Sequence, residues 1–195
     1  MIWWLRVRAV PALVVSLAVV CCVAALAPRS EVPVPSVVDG LATGLPFRYL
    51  VPLLPALLVL HGRARADRLS ESVAARSVRL LDAGIVVGAV GVLLLSSTVV
   101  PDSVALARNL AGYLGVALIL NWLSTPRLAT ALTAFLPFAA ASLGGGARPA
   151  WWAWPLHDGG SPLAATGAAT LFVAGLALSF RPPLLGAGHD PDEDG

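Results

Sequence analysis

The sequence runs to 195 residues, 57% of them hydrophobic and 12% charged, with a mean hydropathy of +0.82 and a formal net charge of +2. A water-soluble domain of this size has too little interior to hide so much apolar surface, and the charge is too small and dispersed for nucleic-acid binding, which needs a concentrated basic face. The apolar residues fall in blocks near bilayer length, a pattern that predicts transmembrane helices whose outer faces are covered by lipid.

The first predicted span runs from Ala9 to Ala27, after Trp3, Trp4, Arg6 and Arg8, which read as an aromatic and basic interfacial anchor. Ala25, Leu26 and Ala27 mimic a signal-peptidase site, but Pro28 follows directly and the block exceeds a signal-peptide core, so an uncleaved span is expected. Cys21 and Cys22 are adjacent within this span, where a disulfide between them would be strained; they read as small packing residues. Pro28 to Gly40, with prolines at 28, 33 and 35, reads as a short extended loop.

The second span is placed at Leu41 to Leu60, with Arg48 near its start and a kink expected from Pro52 and Pro55 in its middle. The connection His61 to Leu81 reads as an amphipathic helix. At 100° per residue Arg65, Arg68, Arg76 and Arg79 share one arc, while Leu69, Val73, Leu80 and Leu81 occupy the adjoining one. Two interpretations stand: a topogenic basic loop resting on anionic head groups, or a helix that docks on a cytoplasmic partner.

The third span, Ala83 to Val100, carries Gly84 and Gly88 in the small-xxx-small spacing that allows close helix approach, and Asp82 suits the helix start before it. Pro101, Asp102 and Ser103 turn the chain into the fourth, Val104 to Leu123, the most polar of the set with Arg108, Asn109 and Asn121. A fifth, Leu128 to Leu143, is interrupted by Pro137 and ended by three glycines. Ala147 to Pro162 contains Trp151, Trp152 and Trp154 with His157 and Asp158, a composition suited to the membrane interface. The sixth span, Leu163 to Phe180, stops at Arg181, Pro182 and Pro183, and residues 182–195 form an acidic tail expected to be disordered.

The fold class expected is therefore all-α: one six-helix transmembrane domain over residues 1–181, with both termini in the cytoplasm. In that topology nine arginines fall on the cytoplasmic side and four on the other, as the positive-inside rule requires. Arg48 and Arg108 lie within spans near their outer ends. They either snorkel to the interface or, with Asn109 and Asn121, line a polar pathway. Walker A, His-Glu-x-x-His and Gly-x-Ser-x-Gly patterns are absent, and His61, His157 and His189 are too separated in this topology to share a metal. No enzyme activity, cofactor or metal is expected.

Three features suggest a family. Ala74-Ala75-Arg76 lies in the basic loop before the third span, Arg108-Asn109-Leu110 enters the fourth, and Trp152-Ala153-Trp154-Pro155-Leu156 precedes the sixth. With six spans in this orientation, the chain resembles the permease subunits of bacterial ABC exporters, particularly small actinobacterial proteins of the ABC-2 type. The resemblance implies a bacterial plasma-membrane location, a separate cytoplasmic ATPase and a second permease subunit, identical or different. It makes the basic loop a coupling helix, with Arg65, Arg68, Leu69, Val73, Arg76 and Arg79 meeting the ATPase, and the Trp-rich segment a set of short external helices. Only eight residues precede Ala9, fewer than the amphipathic helix usual there, which suits an accessory or partnered subunit. The alternative from another class is a non-transporting accessory or immunity protein that works through helix packing.

Overall fold

The computed structural model describes residues 9–26, 30–35, 42–65, 77–99, 103–145 and 149–184. Its elements are α1 (Val10–Leu26), β1 (Glu31–Pro35), β2 (Ala42–Pro46), α2 (Phe47–Leu50), α3 (Leu53–Ala64), α4 (Ser77–Ser96), α5 (Ser103–Leu123), α6 (Pro126–Gly144), a 3-10 turn at Trp154–Leu156, and α7 (Pro162–Leu178). Six of the described helices have twelve residues or more, one for each expected span. Three of them, α4, α5 and α6, contain a stretch long and apolar enough to cross a membrane, and α1 and α7 are apolar helices of 17 residues.

The expectation of an all-α chain needs one correction. β1 and β2 form an antiparallel hairpin in which Glu31 faces Pro46 and Pro35 faces Ala42. The segment expected as the start of the second span is thus a strand, and part of the expected extended loop is its partner. Pro33 and Pro35 fit because each strand of a two-stranded sheet has a free edge, where a missing N–H costs no ladder bond. Val34 and Leu45 are buried against Ala141 of α6, so the hairpin is stapled to the bundle by apolar contact.

The prolines expected to kink the second span divide it instead. Pro52 is the residue before α3 and Pro55 lies in its first turn, where a proline lacks only an N–H that has no helical partner anyway. Pro137, by contrast, lies inside α6, which continues through it from Pro126 to Gly144. At the other end of that helix the Thr125 side chain accepts from the Leu128 amide and Pro126 opens the first turn, so the turn between α5 and α6 needs only two residues. Helix α4 starts six residues before the expected third span, so Arg79, Leu80 and Leu81 belong to its first turns and not to a separate amphipathic helix.

Helix α5 is the hub of the bundle. Within its apolar stretch 78% of the residues are buried, against 28% for α4 and 33% for α6. It packs on α3, α4, α6 and most extensively on α7. Composition explains its place, because Ala105, Ala107, Ala111, Gly112, Gly115 and Ala117 let neighbouring helices come close. The approach is tightest where Gly115 meets α7: a Cβ on Gly115 would collide with the Leu171 backbone, and one on Gly175 would lie 2.5 Å from the Gly115 carbonyl oxygen. Around this axis Leu13, Leu17 and Val20 of α1, Val59 of α3, and Val86 and Leu93 of α4 close one apolar core.

Large apolar side chains also face outward. Val15 on α1, Leu54 on α3, Leu95 on α4, Val104 on α5, Phe135 on α6 and Val173 on α7 are all exposed. On α4, a Cβ built on Gly84, Gly88 or Gly91 would meet nothing within 4 Å, so this glycine face is turned away from the rest of the bundle.

Candidate functional site

Polar residues on one face of α5 fasten a connecting segment over the end of the bundle. Arg108 and Gly112 are one turn apart, as are Asn109 and Tyr113, so the four side-chain positions form a continuous patch on the helix. Arg108 is buried, with 6% of its surface exposed. Its two terminal nitrogens donate to the carbonyl oxygens of Asp158 at 2.6 Å and His157 at 2.7 Å, and its Nε donates to Asn109 Oδ1 at 3.3 Å. Asn109, fully buried, donates in turn to the Pro155 carbonyl at 3.4 Å. A planar guanidinium presents its donors as a fork, which suits two successive carbonyls as it suits a carboxylate.

The segment that receives these bonds, residues 149–161, is folded back on the helix ends. Ala150 N donates to the Gly144 carbonyl at the end of α6, and His157 Nε2 lies 3.0 Å from the Ala150 oxygen, an acceptor that selects the tautomer protonated at Nε2. Ala153 packs so tightly on Gly144 that a Cβ there would sit 2.6 Å from the Ala153 methyl. The indole of Trp154 lies against Gly112 in the same way and meets the Tyr113 ring at a 6.3 Å centroid distance. Ser161 then caps α7 by accepting from the Ala164 amide. Tyr113, fully buried, donates to the Tyr49 carbonyl at 3.0 Å and so ties α2 to the same assembly, and the Arg48 guanidinium carbon lies 5.1 Å above the Tyr49 ring.

Of the four residues suggested for a pathway, Arg48, Arg108 and Asn109 are thus placed near this end. Asn121 is not. It lies roughly 18 Å further along α5 at the helical rise of 1.5 Å per residue, beside a cavity of about 70 Å³ lined by Arg63, Trp122, Ser179 and Arg181. The Arg108 guanidinium is directed toward the Trp-rich segment and is held there by the backbone carbonyls of His157 and Asp158.

The opposite end of the bundle gathers arginines. Arg79 donates to the Phe180 carbonyl at 2.9 Å, Trp122 Nε1 donates to the Pro182 carbonyl at 2.9 Å, and Arg63 approaches Asp82 at 3.9 Å. These contacts place the end of α3, the start of α4 and the ends of α5 and α7 together, with Arg63, Arg65, Arg79 and Arg181 among them and Arg127 at the adjoining start of α6. Of the expected coupling residues, Arg65 and Arg79 are found here, while Arg68, Leu69, Val73 and Arg76 lie outside the described residues. Asp82, expected at a helix start, is instead in the second turn of α4, buried and facing Arg63.

Sequence reasoning missed Tyr49, Tyr113 and the Arg63–Asp82 pair. A lone acid opening an apolar block after a run of arginines was the available signal for the pair; the tyrosines offered none. Among the described residues no group of three or more His, Cys, Asp or Glu side chains is arranged to hold a metal ion. The chemistry the site offers is donation from a fixed cation and dipoles, with His157 turned to a carbonyl instead of to Asp158.

Compared with protein-family models, curated proteins and solved structures, the chain matches none.

Proposed function

We propose that the chain is a six-span subunit of a larger plasma-membrane complex, with no catalysis of its own, inserted with its arginine-rich end in the cytoplasm and its Trp-rich segment outside. The observation that carries this reading is the outward apolar surface on each of the six longer helices, at positions such as Val15, Leu54 and Phe135. Isolated exposed apolar residues are ordinary on soluble proteins, but large apolar side chains exposed on all six longer helices are the surface that lipid or a protein partner covers. Five described arginines at one end against Arg48 and Arg108 at the other support the orientation, as does the burial of Arg108.

A partner-dependent role follows from how the polar residues are used. Arg108 and Asn109 spend hydrogen bonds on the connecting segment, and α5, which holds them, is packed on several sides, so a solute route would run between subunits and not through this bundle. A second, more specific reading is that the complex is an ABC-type exporter, whose ATPase meets the connection between α3 and α4. It is favoured by the position of Arg65 and Arg79 at the two ends of that connection.

One experiment tests both readings. The full chain, tagged and extracted in a mild detergent, is expected to bring down at least one other membrane or cytoplasmic protein identifiable by mass spectrometry. Recovery of an ATPase that is lost on changing Arg65, Arg68, Arg76 and Arg79 to glutamate supports the exporter. Recovery of other partners with no ATPase supports the accessory role, and a chain that purifies alone contradicts both.

A further inference from the structure

We propose that the groove between α4, α5 and α7 binds one anionic phospholipid, its phosphate on Arg108 and one acyl chain along the apolar walls. The proposal rests on the membrane reading above and adds a ligand to it. The groove has a volume of about 280 Å³ and is lined by Val90 and Leu94 of α4, Ala107, Arg108 and Ala111 of α5, and Phe172 of α7 among others. It extends from Ala165 to Val173 on α7, about 12 Å at the helical rise, so it is elongated along the helix axes. Small side chains create it: Ala107 and Ala111 on one wall face Ala165 and Ala169 on another. Leu94, Val104 and Val173 on its border are exposed, so it opens sideways, toward what the membrane reading makes the acyl region.

Charge selects the head group. Side chains on a helix lean toward its N-terminus, so the Arg108 guanidinium reaches up toward residues 157 and 158 at the groove's upper end. Its three bonds go to neutral acceptors, two carbonyls and an amide, while the Asp158 carboxylate acts on it only through space and accepts none of them. A guanidinium carries five N–H donors, so two remain after these bonds, one on each terminal nitrogen. Arg108 is 6% exposed, so a phosphate reaches it only from within the groove it lines, and a cation at the interface end of an apolar slot with one N–H left on each terminal nitrogen complements a phosphodiester joined to a hydrocarbon chain. A zwitterionic lipid offers the same phosphate but brings a cationic choline that the guanidinium repels.

Native mass spectrometry of the full chain from mild detergent, titrated with phosphatidylglycerol and with phosphatidylcholine of the same chain length, tests the proposal. The wild type is expected to hold one phosphatidylglycerol at a concentration at least tenfold below that needed for phosphatidylcholine. Ala169→Trp, which fills the groove from an exposed position, is expected to abolish that bound lipid, and Arg108→Gln to bring the two lipids within twofold. Should Arg108→Gln fail to fold, the Ala169→Trp result decides. Equal binding of the two lipids by the wild type, undiminished phosphatidylglycerol on Ala169→Trp, or a dimer with the groove closed to lipid overturns the proposal. A chain found in the soluble fraction would instead refute the membrane reading on which it stands.

Discussion

Arg108→Met is expected to loosen residues 149–161 from the end of the bundle while leaving the helices assembled, at a cost of about 2 kcal/mol. The variant removes two short charge-assisted bonds, at 2.6 and 2.7 Å, each of a kind that contributes roughly 1.5–3 kcal/mol. Part of that loss is returned, because a buried guanidinium is itself expensive to hold away from water. The balance stays unfavourable because Asn109 also loses the partner of its carbonyl oxygen while still buried. Hydrogen exchange followed by mass spectrometry is the measurement: faster exchange is expected at the amides of His157 and Ser161, which bond within the segment, with α5 and α6 protected as before. Arg108→Lys, keeping the charge but not the fork, is expected to fall between. Wild-type exchange in the methionine variant would show that the segment is held by Trp154 and Ala153 packing instead.

The larger effect is expected at Gly115. Gly115→Leu places a side chain where the backbone of Leu171 and Phe172 already lies, and a backbone cannot rotate aside as a side-chain tip can. Overpacking of an ordinary core costs about 1–3 kcal/mol; with helix backbones in contact, a loss of at least about 3 kcal/mol is expected, enough to prevent assembly of a marginally stable bundle. Gly88→Leu serves as the internal control, since its Cβ faces open space on α4. The expected result in detergent is a monodisperse, wild-type melting curve for Gly88→Leu and aggregation or a strongly lowered transition for Gly115→Leu. Wild-type melting of Gly115→Leu would mean that α5 and α7 do not meet as described.

The contrast between these glycines shows what hydropathy conveys and what it does not. Apolar blocks located the last three long helices closely: the expected Val104 to Leu123, Leu128 to Leu143 and Leu163 to Phe180 correspond to Ser103–Leu123, Pro126–Gly144 and Pro162–Leu178. Thr125 and Ser161 cap two of these helices directly before a proline, a local signal that the hydropathy bounds left unused. The hairpin was not legible, because Leu45 and Pro46 add to an apolar average in the same way whether the backbone is extended or helical. Gly84 and Gly88 matched a packing motif yet face outward, whereas Gly115 and Gly175, distant in sequence, make the contact. Which helix is central is a tertiary property.

The same division holds for the site. Arg108 and Asn109 stood out because charge and amide are costly within an apolar helix, but their partners are backbone carbonyls some fifty residues away, and carbonyls carry no sequence signature. Asn121, marked by the same rule, belongs to the opposite end. Tyr113 passed unnoticed because a tyrosine in an apolar stretch looks like any aromatic core residue until its hydroxyl is seen donating to Tyr49.

Side-specific labelling tests the proposed role at its base, since the subunit reading and the lipid site depend on a bundle that sits across a bilayer with its arginine-rich end inward. In a background where Cys21 and Cys22 are replaced by alanine, single cysteines are introduced as Gly160→Cys, where a Cβ meets no neighbour within 4 Å, and as Arg65→Cys at the far end. A membrane-impermeant maleimide applied to intact cells is expected to label position 160 and to reach position 65 only after lysis. Equal labelling of both positions in intact cells, the reverse pattern, or recovery of the chain in the soluble fraction would contradict it.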